Sequence, residues 1–284
     1  MTRNATKPTK SRGTAPKRDA GSALSQRIQR GAVAHYEDPH YYDHTYKRRR
    51  NDVRFYVDLV KERPGAVLEL GVGTGRVALA LARAGVETVG IEPVPAMLQH
   101  ARIKREALPA AAQSCLELRA GDARTLRLKR RFPWVIAPFN VFMHLYTRRE
   151  LEQAFASVRA HLAPRGRFVF DVLMPDLHAM VRRPGKLYKG PALTEPNTGR
   201  RYEYFEAFEY QHERQVQLVS MVFQNLSELG DLKIVPLSQR QFFPQELEAL
   251  LHYNGFTVEH VWGDFSRAPL CAESESQIVV ARAR

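Results

Sequence analysis

The chain has 284 residues, 44% of them hydrophobic, with 43 Lys and Arg against 30 Asp and Glu for a formal net charge of +13. That is enough apolar side chain for a sizeable core, which excludes a wholly disordered chain. No uncharged apolar run reaches the roughly 18 residues of a membrane span and no hydrophobic signal region opens the chain, so a soluble, cytoplasmic protein without a membrane partner is expected. The two cysteines, Cys115 and Cys271, lack the paired spacing of a metal site or disulfide framework, so no metal is expected either.

Residues 1–30 hold eight basic side chains against the single acid Asp19 and so carry +7 of the +13. They are rich in Thr, Ser, Ala, Gly and Pro and poor in large apolar residues. Burial cannot offset the entropy cost of ordering such a segment, and a disordered basic tail is expected over 1–30. Charge alone admits a nucleic-acid partner for this tail, but a solubilising extension is the simpler explanation.

An aromatic and polar stretch over 35–46 leads into a helix at about 49–61. From Gly65 onward, short apolar runs alternate with amphipathic stretches, the pattern of a parallel sheet covered on both faces. Strands are predicted at 66–70, 88–91, 115–119, 134–138 and 167–173, with helices at 76–83, 95–106 and 148–162. The last helix opens with Thr147 and Glu150 at the spacing of a capping box and ends before Pro164 and Gly166. Beyond 174 the rhythm changes to three β-type runs at 201–210, 215–227 and 232–243, which predict a small antiparallel β insert or substrate lid over 174–243. The first pattern then resumes with a helix over 244–253 and strands at 256–262 and 277–283. Residues 31–173 and 244–284 are therefore expected to form one domain around the insert. No repeat points to a solenoid.

The chemistry concentrates in Val67-Leu68-Glu69-Leu70-Gly71-Val72-Gly73-Thr74-Gly75-Arg76, a buried strand running into three alternate glycines and then a helix. Glycines there allow a tight turn and bring backbone N–H groups close to a ligand at a helix N-terminus. Glu92 ends the next strand 17 residues after Gly75, close to the spacing expected of a carboxylate that accepts ribose hydroxyl hydrogen bonds. Both features suit an adenosine-containing ligand.

Glu69-x-Gly71-x-Gly73-x-Gly75 resembles the first motif of the class I, Rossmann-like S-adenosylmethionine-dependent methyltransferases of small-molecule type. The resemblance implies an α/β fold: a doubly wound, seven-stranded, mostly parallel sheet of order 3-2-1-4-5-7-6 with its last strand antiparallel. It implies S-adenosyl-L-methionine as cofactor, with Gly71, Gly73 and Gly75 beneath its methionine part and Glu69 oriented towards that part. Glu92, followed by Pro93, would hold the ribose, Met97 would pack on the adenine, and Gly121-Asp122-Ala123 would meet the adenine amino group. Tyr42 and Tyr46, four apart on one helical face, are candidates for the methionine carboxylate or for the substrate cavity, and Arg76 is a further candidate partner of that carboxylate. Gly73-Thr74-Gly75-Arg76-Val77-Ala78 also satisfies the dinucleotide pattern of a nicotinamide dehydrogenase. Glu69, Asp122 and the terminal hairpin favour the methyltransferase.

Pro138-Phe139-Asn140-Val141-Phe142-Met143-His144 follows the fourth strand, at the sheet edge where ligands bind in such folds. It departs from the Asp/Asn-Pro-Pro-Tyr/Phe motif of DNA and glutamine amino-methylating enzymes, which counts against those acceptors. Pro138 and Asn140 are expected near the cofactor's methyl. Asn140 is a catalytic candidate that orients a heteroatom, and His144 one that takes a proton, with helix capping or packing the alternative for His144. Tyr202, Tyr204, Phe208 and Tyr210 share a strand face and suit a substrate pocket, sheet packing or a homodimer contact through the insert, and Arg240 is a candidate for an acidic substrate group. The function implied is transfer of a methyl group to an oxygen or nitrogen of a small molecule. The alternatives are an RNA or protein methyltransferase that uses the tail, and a non-catalytic cofactor-binding protein.

Overall fold

The computed structural model describes residues 18–195, 199–226, 228 and 230–284. Its central sheet is built from Val67–Leu70 (β1), Thr88–Glu92 (β2), Leu116–Ala120 (β3), Phe132–Ala137 (β4) and Leu162–Leu173 (β5). Phe256–Trp262 (β11) and Ser276–Ala283 (β12) complete it, and the strand order is β11-β12-β5-β4-β1-β2-β3. The first five strands run parallel, while β12 is antiparallel to both β5 and β11, so the expected 3-2-1-4-5-7-6 arrangement is the one observed. Every residue of β1 and β2 is buried, because helices cover both faces of these strands and no polar face is needed.

Asn51–Glu62 (α3) and Ala78–Arg83 (α4) pack on one face through Phe55, Tyr56, Leu59 and Leu81. Arg148–His161 (α7) and Pro244–Tyr253 (α9) cover the other through Leu151, Phe155, Leu247 and Leu251. The capping box of α7 forms as its sequence demands: the Glu150 N–H donates to Thr147 Oγ1, and the Thr147 N–H donates to Glu150 Oε2 at 2.8 Å. Pro95–Glu106 (α5) flanks β2 and β3, and Ala110–Ser114 (α6) precedes β3.

The insert is a second antiparallel sheet in which Arg201–Gln211 (β8), Val216–Asn225 (β9) and Leu232–Arg240 (β10) form the body. The pairs Tyr188–Lys189 (β6) and Leu193–Thr194 (β7) add to the β8 edge, and Leu177–Met180 (α8) precedes them. Two-residue strands and a one-turn helix carry too little periodicity to be read in advance. The third insert strand stops at Arg240, short of the expected 243, where the chain turns towards Pro244. Ser227, the expected end of the second, lies outside the described residues.

Disorder over 1–30 does not hold for its C-terminal part. Arg18–Val33 is a helix (α1), while residues 1–17 lie outside the described residues. Leu24 and Ile28, one helical turn apart, bury against Val216 and Leu218 of β9. Gly31 lies so close to β10 that a Cβ there would stand 2.8 Å from the Ser238 backbone nitrogen, and Ser238 Oγ donates to the Ile28 carbonyl at 2.7 Å. A polar segment is ordered here by a surface more than a hundred residues away, which its average composition could not register.

Candidate active site

The ends of β1, β2, β3 and β4 surround a cavity of about 270 Å³, just below the usual small-molecule range of about 300 to 1,000 Å³. Its floor is the turn after β1, where Gly71, Gly73 and Gly75 have φ of 66°, 56° and 86°, in the left-handed region that a side chain disfavours. At Gly71 a Cβ would also meet Val141 Cγ2 at 2.5 Å. Glu92 ties this turn to the end of β2: its Oε2 accepts from the Gly73 N–H at 2.8 Å and its Oε1 from the Val94 N–H at 2.9 Å. Burial raises the Glu92 pKa, and these two N–H groups work against that rise.

Glu69 is 2% exposed, and its Oε2 has no hydrogen-bond partner although the residue lines the cavity. Burial pushes this carboxyl well above its ordinary range, with the Arg76 charge opposing. A buried carboxylate oxygen without a donor invites a cationic or hydrogen-donating ligand group. Asp122, after β3, has its pKa lowered despite burial because Arg124 donates to both its oxygens, and Arg124 also pairs with Glu150.

The opposite wall comes from the N-terminal segment. Pro39–Tyr46 (α2) is capped by Asp38, whose side chain accepts from the Tyr41 N–H, and a 3-10 turn over Ala34–Tyr36 links it to α1. Ala32, Val33, Tyr36 and Tyr42 close the cavity, whereas no described residue of 174–243 lines it. The insert therefore does not itself cover the site. It acts through α1, which it anchors, and through Tyr146, whose hydroxyl lies 2.6 Å from Ser238 Oγ.

His144 reaches the cavity from a 3-10 turn over Val141–His144 that follows Phe139 and Asn140, two consecutive left-handed residues with φ of 63° and 66°. Asp171 holds this strained corner by accepting from the Phe139 N–H at 2.9 Å, the Asn140 N–H at 3.3 Å and the Tyr56 hydroxyl at 2.6 Å. Burial raises the Asp171 pKa to about 6 against those donors. His144 Nε2 lies 2.7 Å from the Tyr36 hydroxyl and its Nδ1 3.3 Å from Tyr146 Oη. Burial, with His35 nearby, lowers the His144 pKa to about 4, while burial keeps the Tyr36 phenol well above its ordinary value. The result is a neutral imidazole facing a hydroxyl that stays protonated.

Of the residues singled out in the sequence, Tyr42, Glu69, Gly71, Gly73, Arg76, Glu92, Pro93, Met97, Gly121, Asp122, Ala123, Pro138 and His144 line this one cavity. Gly75, Tyr46 and Asn140 do not. Gly75 backs onto Leu79, and Tyr46 stands behind Tyr42, against Phe139 and hydrogen-bonded to His35 Nε2 at 3.0 Å. Asn140 faces a neighbouring polar groove on the far side of Phe139, turned there by its left-handed backbone. Arg76 pairs with Asp52 at 3.0 Å and lies over the Phe139 ring, so it is held in place and not solvated. Tyr202, Tyr204 and Phe208 pack within the insert sheet against β9, and Arg240 is nine-tenths buried beside Glu246. Sequence reasoning missed Asp171, although a lone acid in Phe168-Val169-Phe170-Asp171-Val172 was a signal.

Residues 67–166 match the methyltransferase domain family. Over 117 residues the chain is 37% identical to the dTDP-3-amino-3,4,6-trideoxy-alpha-D-glucopyranose N,N-dimethyltransferase of Streptomyces venezuelae, covering 40% of this chain and 46% of that one. The chain thus spans about half the length of that curated relative. The CcbJ methyltransferase from Streptomyces caelestis superposes with a TM-score of 0.70 at 27% identity, over 82% of this chain and 89% of that one. CalS10, an amino pentose methyltransferase from Micromonospora echinaspora with S-adenosylmethionine bound, shares the fold with a TM-score of 0.62 at 23% identity, over 86% and 97%. Sheet order and glycine turn give the chain the class I, Rossmann-like methyltransferase fold, and residues 67–166 carry the matched methyltransferase domain. Among the described residues no helix is long and apolar enough to cross a membrane.

Proposed function

We propose that the chain transfers a methyl group from S-adenosylmethionine to a small molecule, and that the acceptor atom is an amine nitrogen in preference to an oxygen. The supporting observation is the neutral His144–Tyr36 pair on the wall of the cavity that also holds the glycine turn, Glu69 and Glu92. The names of the similar proteins, an amino-sugar N,N-dimethyltransferase and an amino pentose methyltransferase, point to nitrogen.

The residues suit the cofactor. The unpartnered Glu69 oxygen would take its ammonium group, and Glu92, fixed by two backbone N–H groups, has lone pairs left for ribose hydroxyls. Met97, Gly121, Asp122 and Ala123 would frame the adenine, and Tyr42 would close over the methionine part. When bound, the cofactor would supply an electrophilic methyl carbon on its sulfonium sulfur, with the neutral thioether as leaving group. Tyr36, its hydroxyl fixed by the neutral His144 Nε2, would orient the lone pair of the acceptor amine, which needs no base before it attacks, and the proton released from nitrogen would leave to water after the transfer. Alignment is the contribution of these residues, since well-oriented reactants gain about 7 to 11 kcal/mol.

The test is a screen of amino sugars, simple amines, hydroxylated analogues and an RNA mixture with methyl-labelled S-adenosylmethionine, read by mass spectrometry. Label on an amine, reduced about a hundredfold in His144→Ala through lost alignment of Tyr36 with cofactor affinity kept, supports the proposal. Label on oxygen only would move the acceptor, and label on RNA that disappears when residues 1–17 are removed would replace the small molecule with a polymer.

A further inference from the structure

The elements that frame the cofactor side of the cavity meet at one side chain outside it, Asp43 of α2. Its Oδ1 accepts from the Thr74 hydroxyl at 2.5 Å, and its Oδ2 accepts from Lys104 Nζ at 2.7 Å and lies 3.0 Å from His100 Nε2. Lys104 donates in turn to Thr74 Oγ1 at 3.3 Å, closing a four-membered polar cluster. Thr74 is the residue between Gly73 and Gly75, is wholly buried and lines the cavity, while His100 and Lys104 lie on α5, the helix that brings Met97 to the same cavity. On the other side of the contact, Asp43 follows Tyr42, which closes the cavity. Burial works against the Asp43 charge, but Lys104, Thr74 and His100 outweigh it and keep the carboxyl below its usual range.

An eight-residue helix such as α2 does not hold its shape or place alone. Its aromatic side chains fix it towards the 3-10 turn and the insert, through His35 and Phe223, and Asp43 is what fixes it towards the glycine turn. An exposed single ion pair would matter little. This one is half-buried and joins three elements, so the geometry restrains the movement of one against the others.

We propose that Asp43 is a positioning residue that latches α2, and with it Tyr42, onto the glycine turn and α5, so that the cofactor enters and leaves when this contact opens. The inference rests on the methyltransferase reading of the cavity. Hydrogen exchange on the ligand-free full chain and the dissociation rate of S-adenosylhomocysteine test it in wild type, Asp43→Ala, Lys104→Met and the double variant. Amides of 39–46 should exchange faster in Asp43→Ala while β1 and β4 stay protected, and S-adenosylhomocysteine should leave about fivefold to tenfold faster, the order expected of a partly exposed, charge-assisted contact. Lys104→Met, altered outside the cavity, should give part of that increase, and the double variant no more than Asp43→Ala alone.

Unchanged protection over 39–46, or faster exchange with an unaltered dissociation rate in both single variants, overturns the latch. If Asp43→Ala loosens the whole molecule, Lys104→Met decides by the same two readouts. A wild type that binds no S-adenosylhomocysteine sinks the methyltransferase reading instead, and ligand-free exchange still decides whether Asp43 holds α2.

Discussion

Asp171 shows how one side chain can govern a site it does not line. Its carboxylate satisfies two backbone N–H groups at a doubly left-handed corner and a buried tyrosine hydroxyl, and that corner delivers His144. Asp171→Ala leaves three donors without partners, so stability should fall by roughly 2 to 4 kcal/mol in urea unfolding and turnover should fall with it. Glu69 is the opposite case. Its folded-state pKa is raised, so its burial cost appears as pH rises above the ordinary carboxyl range and is present at neutral pH. Glu69→Gln should therefore raise the melting temperature at pH 7 by a few degrees while removing cofactor binding, as calorimetry of both properties would show. His35 and His144 have their pKa lowered from 6.5 to about 4, chiefly by burial, so each favours the folded state fully above pH 6.5 and ceases to do so as pH falls through about 4. Unfolding free energies measured from pH 7.5 to 4 should fall steeply below 6.5, by on the order of 3 kcal/mol per histidine at pH 4.

Among the elements, those with strong local signals were legible. The strands and helices of the sheet domain, the α7 capping box and the glycine turn followed from periodicity, cap residues and spacing, and the strand order from the resemblance to class I methyltransferases. What escaped was set by distant partners: α1, which depends on β9 and β10, the two-residue edge strands of the insert, and the place of the insert beside the cavity and not over it. Within the site, most of the residues expected around the cofactor line one cavity. Asn140 was misplaced because a left-handed backbone, invisible in composition, turns it into the next groove. Because α1 seats on β10 through Gly31, Gly31→Val should push it away, since the obstacle is backbone and cannot yield. Hydrogen exchange should then rise over 21–36, and the cavity wall formed by Ala32, Val33 and Tyr36 should loosen, weakening cofactor binding by about tenfold if the wall contributes about 1.4 kcal/mol. Unchanged exchange in that segment would show that α1 does not depend on this contact.

For the whole molecule, a doubly wound sheet presents its carboxyl edge as the floor of a ligand site, and the N-terminal segment, anchored by the insert, closes it from above. Everything proposed about the acceptor, the lid and the insert depends on S-adenosylmethionine occupying the cavity defined by the glycine turn, Glu69 and Glu92. The most direct measurement is calorimetric titration of the full chain with S-adenosylmethionine, S-adenosylhomocysteine and NADH, beside a Glu92→Ala variant whose fold is checked by circular dichroism. One-to-one binding of both S-adenosyl compounds, absent for NADH and lost in the folded variant, is the predicted result. Preference for NADH, or S-adenosylmethionine binding that survives Glu92→Ala unchanged, would contradict it.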